Sequence, residues 1–404
     1  MKRKHLIFIA GIFLILSIGI GLTYSYFVPA FIGTSGEDLL NLYKYNLKVN
    51  YINTSSVLIN STTSTVVKNM TIENKNAASK NYLLVFDNVV NTIPGGATLT
   101  YSFTCSSTIS TCASKSSTAA PTTNGEFSTV RAIAAGAVHT YEITFILTGT
   151  ITTETFSTNI NAKLINYMDA RGGYSGTPGF WTKYSVLTGI TFESTIDIPA
   201  GTLAANIWDM SVANDSSIMA YYDTVTRIVH VQSNGPITAS ANGAGMFANM
   251  GALLAITNPH LLDTSQVTSM YQMFRDSTKV ANLDLSGWNT SKVTTMYQMF
   301  NEADLLVTLN ISTWNVSNVT SMQSMFYGAQ SIKTIYWNSA IFKTSGLDSS
   351  MMFIGIPSSS TNKGNIYVYN QAAYDLLYQR LIDATGSRHL NNIITIDPTC
   401  SYCP

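Results

Sequence analysis

The sequence predicts a β-rich α+β protein: an N-terminal membrane segment, a β-sandwich, and a solenoid of coils, each a short strand plus a short helix, closed by end caps. Three observations predict it. A block in the C-terminal half returns every 26 residues, and a fixed period of this length marks stacked repeats. Six runs of alternating apolar and polar residues lie between positions 47 and 165, the pattern of half-buried strands. A basic tripeptide at the start precedes a long apolar run, the order that sends a chain outward across a membrane.

The N-terminal element comes first. Lys2, Arg3 and Lys4 precede the uncharged residues 6–22, and Tyr24, Tyr26 and Phe27 follow. A run of 17 residues, apolar but for Ser17, just suffices to span a bilayer, with the aromatic side chains at its interface. Residues 1–34 are therefore expected to be a signal or transmembrane anchor that meets the membrane through residues 6–27. Two fates fit the pattern: a retained single-pass anchor, or cleavage after Ser25 or Ala30. Either places the rest of the chain outside.

Residues 35–168 read as the sandwich. Leu47-Lys-Val-Asn-Tyr51, Thr65-Val-Val-Lys-Asn-Met-Thr-Ile72, Tyr82-Leu-Leu-Val-Phe86, Leu99-Thr-Tyr-Ser-Phe103, His139-Thr-Tyr-Glu-Ile-Thr-Phe-Ile146 and Ile160-Asn-Ala-Lys-Leu-Ile165 are its strands. Gly and Pro breaks between them favour two packed sheets. Residues 106–125 are small and polar and are expected to be a loop. Cys105 and Cys112 flank its start, and Cys400 and Cys403 end the chain. Outside the cell each close pair is expected to form a disulfide. A redox role for Cys400-Ser-Tyr-Cys403 finds no support, because only Pro404 follows and no helix N-terminus can lower the thiol pKa there.

Residues 169–179, dense in Gly, form a linker. Residues 180–245 are the N-terminal cap, with strand signals at Ile190-Thr-Phe192 and Arg227-Ile-Val-His-Val231. Residues 246–355 are the repeats. Residues 356–404 are the C-terminal cap and Cys-containing tail, with strands around Asn365-Ile-Tyr-Val-Tyr369 and Ile393-Ile-Thr-Ile396 and a helix from Gln371 to Ala384.

Within the repeats, Val267-Thr-Ser-Met270-Tyr-Gln-Met273-Phe274 returns as Val293-Thr-Thr-Met296-Tyr-Gln-Met299-Phe300. It returns again as Val319-Thr-Ser-Met322-Gln-Ser-Met325-Phe326. Met-Phe pairs at Met246-Phe247 and Met352-Phe353 extend the series to about five coils. Leu306-x-x-Leu309-x-Ile311-x-x-Trp314-Asn315 fits the leucine-rich pattern, with Val280, Leu283, Leu285, Trp288 and Asn289 at the equivalent positions. Val293, Met296, Met299 and Ala303 recur at helical spacing. The Met column reads as core, since Met fills irregular gaps. Asn289 and Asn315 are expected to be buried and to bond the backbone of the adjacent coil.

Leu283 and Leu285 alternate with Asp284, so the two sets point opposite ways. Asp284, Ser286, Asn310, Ser312 and Tyr336 thus become the candidate ligand-binding face. Chemistry is otherwise sparse. His5, His139, His230, His260 and His389 show no metal-ligand spacing, and no hydrolase motif occurs. The stretch Asn242-Gly-Ala-Gly-Met246 lacks the Lys-Ser/Thr of a phosphate loop. Neither a catalytic residue nor a cofactor or metal is expected. The chain has 404 residues with 22 basic and 22 acidic side chains, and this balance gives no support to nucleic-acid binding. Charged residues make up 11% against roughly 25% in ordinary soluble domains.

Leu283-Asp-Leu-Ser-Gly-Trp-Asn-Thr-Ser-Lys-Val-Thr-Thr-Met-Tyr-Gln-Met-Phe300 and the coil that follows resemble the BspA-like leucine-rich repeat surface proteins and the related repeat of mycoplasma lipoproteins. That resemblance spans residues 180–396. It implies a bacterial cell-surface protein used in attachment or recognition, whose partner is a protein or glycan of a host or neighbouring cell. No Cys lies near residue 30, so the lipidation of some members is not expected. Gly21-Leu-Thr-Tyr-Ser-Tyr-Phe27, ahead of a Ser/Thr-rich β-domain, resembles the start of TasA/camelysin-type exported proteins. This implies the alternative, a pilus-like or biofilm-matrix subunit. A surface hydrolase with an unrecognised site is the third reading.

Overall fold

A computed structural model describes residues 47–52, 54–109, 111–168, 181, 183, 185–212, 216–337, 345–354, 365–385 and 394–396. The N-terminal segment 1–34, the linker 169–179 and the second cysteine pair, Cys400 and Cys403, lie outside the described residues. No helix among the described residues is long and apolar enough to cross a membrane.

The first part is two antiparallel sheets facing each other. Its strands are β1 (Leu47–Tyr51), β2 (Ser56–Ile59), β3 (Thr65–Asn74), β4 (Lys80–Asn91) and β5 (Thr98–Ser107). They continue as β6 (Lys115–Ala119), β7 (Gly125–Glu126), β8 (Arg131–Ile133), β9 (Val138–Thr148) and β10 (Phe156–Ile165). One sheet runs β1-β3-β9-β5-β6; the other runs β2-β10-β4-β7, with β8 also on β4. Alternation explains the packing. Along β9, Tyr141, Ile143 and Phe145 are fully buried while Thr140, Glu142 and Ile146 face out, as a period of two requires. Phe86 on the opposite sheet meets Tyr101 edge-on at 5.0 Å and stacks on Phe127 at 3.9 Å. The polar segment expected to be only a loop contains β6, which pairs with β5.

The second part opens with β11 (Gly189–Glu193), β12 (Ile207–Asp209), β13 (Met219–Asp223), β14 (Ile228–Gln232) and β16 (Ala255–Thr257), in the order β12-β13-β14-β11-β16. A small parallel pair joins β15 (Ile237–Thr238) to β17 (Leu262–Asp263). Then follow β18 (Asn282–Asp284), β19 (Thr308–Asn310), β20 (Thr334–Trp337), β21 (Asn365–Val368), helix α1 (Gln371–Thr385) and β22 (Ile394–Ile396). The five strands of this last group form one parallel ladder in sequence order. Strands β21 and β22, in the segment expected to be the C-terminal cap, add two more rungs to the same sheet.

The expected leucine-rich solenoid, with a short helix in every coil, is overturned. The single α-helix among the described residues is α1, and the second leg of each coil is a run of turns. Backbone geometry gives the reason. Gln272, Asp276, Gln298, Glu302, Ser324 and Gly328 all have φ between 52° and 74°, and left-handed residues cannot sit inside a right-handed helix. Their turns send the N–H groups to the next coil instead of back along their own. Met270, Gln272, Phe274 and Asp276 donate to the carbonyls of Thr295, Tyr297, Met299 and Asn301 at 2.8–2.9 Å. The helical spacing read in the sequence is still a burial period, since Val293, Met296, Met299 and Ala303 are all in the core. A turn closing every three or four residues returns side chains to one face as a helix does.

Stacking then follows from identical residues in register. Phe247, Phe274, Phe300, Phe326 and Phe353 form a column with ring centroids 5.0–5.5 Å apart. Tryptophan ties coils by hydrogen bonds: Trp288 Nε1 donates to Pro259 O and Trp314 Nε1 to Leu285 O, each at 2.9 Å. The expected asparagine ladder is corrected. Asn289 is exposed and Asn315 half-buried, and each side-chain oxygen accepts the N–H two residues on. Buried Thr290 bonds the neighbouring coil instead, its Oγ1 donating to Asn315 O at 2.9 Å.

The two parts meet. Lys163 of β10 pairs with Asp263 at 2.9 Å. Glu126 accepts from Lys292 Nζ at 2.5 Å and from Gln266 Nε2 at 2.9 Å. Burial pushes the Asp263 carboxyl up, but the Lys163 ammonium and the Ser265 hydrogen bonds outweigh it and hold the group below the usual carboxylate range.

Candidate functional site

The parallel ladder aligns residues that the sequence separates by 26 or more positions. Asp284 faces Asn310, Asn310 faces Tyr336, and Tyr336 faces Tyr367 across β18 to β21. Leu283, Leu309, Ile335 and Ile366 alternate with them and point into the core. One row of outward positions therefore crosses four strands. Asn282, Thr308, Thr334 and Asn365 form a second row two residues earlier, since strand side chains repeat every second residue.

Three of the five candidate residues stand in this row and two stand beside it. Asp284 is exposed, and its Oδ1 accepts from Ser286 N at 3.0 Å and Ser286 Oγ at 2.6 Å. Ser286 thus closes the turn after β18. Ser312 does the same after β19, its N–H donating to Asn310 Oδ1 at 3.2 Å. Asn310 departs from expectation, because it is only 2% exposed and its side-chain oxygen is engaged. Tyr336 is half-buried and stacks on Tyr367, with centroids 5.3 Å apart and planes 9° apart. The surface available to a ligand is therefore Asp284 at one end and a tyrosine pair at the other, bridged by polar backbone turns.

Sequence reasoning missed Tyr367. Its signal was present, since Asn365-Ile-Tyr-Val alternates and Ile366 was the obvious inward residue. What the sequence lacked was the register joining β21 to β20. A second aromatic pair, Tyr271 and Tyr297, lies on the turn side of the stack at 5.1 Å and 9°. The repeat period alone predicts that pairing.

Elsewhere, His230 Nδ1 lies 2.6 Å from Glu193 Oε1, and the ring stacks on Tyr221 at 4.5 Å. Glu193 also accepts from Gln232 Nε2 at 2.5 Å. All four residues belong to one sheet, and their mutual bonds occupy the carboxylate. Cys105 and Cys112 are joined by a disulfide, as expected, with Cα atoms 5.6 Å apart.

No curated protein matches the chain. Residues 242–362, which contain the regular coils and less than half of the chain, match the family described as "Mycoplasma protein of unknown function, DUF285".

Proposed function

We propose that this chain is an exported, non-catalytic binding protein that presents the ladder face to a protein or glycan on a host or neighbouring cell. The observation that carries the reading is exposed Asp284 and the Tyr336–Tyr367 pair, set in register across parallel strands. Rigid elements hold a contact surface more accurately than loops do, and tyrosine offers contact area at a low entropic cost. Three further features support export and display. A basic tripeptide precedes an apolar run, Cys105 and Cys112 form a disulfide of the kind stable in oxidising compartments, and the repeats resemble BspA-like surface proteins. The match of residues 242–362 to a mycoplasma family agrees with that resemblance.

Binding of residues 35–404 to an array of matrix proteins, mucins and glycans tests the reading. Saturable binding to one class, lost in Asp284→Ala/Tyr336→Ala/Tyr367→Ala while the fold persists, is the expected result. Asn310 is left intact there because it is buried. Unchanged binding in the triple variant would discard this face.

One observation favours a structural subunit as the second reading. Among the described residues, β1, β6 and β2 each pair on one side only, and open edges accept added strands. Concentration-dependent polymers of residues 35–404 would support it; monomers at all concentrations would remove it.

A further inference from the structure

We propose that the Cys105–Cys112 disulfide covers a thiolate–imidazole site that, once reduced, binds a soft divalent cation such as zinc through Cys105, Cys112 and His139. Both sulfurs and a ring nitrogen of His139 lie within 4.8 Å of one another. Cys105 opposes Tyr141, and His139 opposes Ser107, in the pairing of β5 with β9. The strand register therefore puts the first sulfur and the imidazole at the same end of the sandwich, and the short loop returns Cys112 to them.

The histidine is what sets this disulfide apart from a plain staple. His139 is 1% exposed. Its Nδ1 lies 2.6 Å from Tyr82 Oη, which in turn lies 2.5 Å from Tyr141 Oη, while its Nε2 is buried with no hydrogen-bond partner. A buried nitrogen left unpaired costs stability, so its presence calls for an explanation. When Nδ1–H donates to Tyr82 and Tyr82 donates onward to Tyr141, Nε2 carries the free lone pair that a metal requires. A hydrogen bond at the other ring nitrogen is the usual means of fixing a ligand histidine.

The chemistry balances with an external dithiol as reductant. It gives two electrons and two protons to the Cys105–Cys112 bond, which breaks into two thiols, while the dithiol closes to its own disulfide. Metal binding then releases both thiol protons to solvent. Two thiolates and one neutral imidazole make a three-ligand set with a fourth position open to water, at metal–ligand distances of about 2.3 Å for sulfur and 2.0 Å for nitrogen. The oxidised protein has no thiolate to offer, so the site opens only where a reductant reaches it.

The test uses the full chain carrying Cys400→Ser and Cys403→Ser, so that the tail thiols do not contribute. Cobalt(II) chloride is titrated into the anaerobically reduced and the oxidised protein. The expected result is thiolate-to-cobalt absorption saturating at about one equivalent in the reduced protein only, with zinc bleaching it. His139→Asn is expected to weaken binding at least tenfold, and Cys105→Ser/Cys112→Ser to abolish the band. The serine pair keeps the test decisive if the His139 variant misfolds. No band on reduction would overturn the proposal. So would a band of equal intensity in the oxidised protein or in the serine variant.

Discussion

Replacing Phe300 by alanine probes the stack at its centre. The ring is fully buried and sits between Phe274 at 5.4 Å and Phe326 at 5.5 Å. Deleting a buried Phe side chain costs about 3–5 kcal/mol through lost transfer energy and the cavity left behind. Each of the two aromatic contacts adds about 0.5–1.5 kcal/mol beyond burial, so the central position should lose about 4–8 kcal/mol. Phe353 is equally buried but stacks on Phe326 alone among the described residues. Phe353→Ala should therefore cost about 1 kcal/mol less than the central change. Phe300→Leu keeps most of the volume and removes only the rings' contact, at about 1–3 kcal/mol. The assay follows from composition. All five tryptophans lie between positions 181 and 337, so their emission in a denaturant titration reports the second part and ignores the sandwich. A cost below about 2 kcal/mol for Phe300→Ala, or a leucine variant as stable as the parent, would refute the argument that the ring column holds the coils together.

Three other outcomes follow from the same geometry. Glu302 holds φ 53° where the next coil has Gly328, so Glu302→Gly should stabilise by about 0.5–1 kcal/mol. Burial, then Asp304 and Asp276, raise the Glu302 pKa above its ordinary value of 4.5. The charged form is thus disfavoured on folding, and the gain should be larger at pH 7 than at pH 4, read by tryptophan emission. The lowered Asp263 pKa has the opposite sign, so its pair with Lys163 contributes stability above about pH 3.8 and loses it as pH falls through the depressed folded value. Lys163→Met should cost about 1–2 kcal/mol at pH 7, discounted because the lysine is partly exposed, and progressively less as pH falls through that depressed value; a cost that does not shrink with pH would count against the pair. Finally, reducing Cys105–Cys112, seven residues apart, should lower sandwich stability by about 2 kcal/mol. Tyrosine near-ultraviolet dichroism would register this, with the tryptophan transition unmoved.

The sequence by itself determined the parts that depend on local periodicity. Alternation located β1, β3, β4, β5, β9 and β10, because a two-residue period names both the strand and its buried face. The 26-residue period placed Phe274, Phe300 and Phe326 in one column, because residues repeated in register must meet when coils stack. The same period aligns Asp284 with Asn310 and Tyr336, which stand at equivalent positions of successive coils.

Tertiary structure decided what periodicity leaves degenerate. A three-to-four spacing fits a helix and a chain of turns equally, and only the left-handed residues Gln298 and Glu302, with their N–H groups bonded to the next coil, separate the two. Outward alternation suggested that Asn310 is exposed, yet neighbouring rungs bury it. Tyr367 joined the candidate face, and His139 met Cys105 and Cys112, through pairings between distant strands. Such contacts are set by sheet register, a property of two chain segments at once, and no single stretch of sequence carries it.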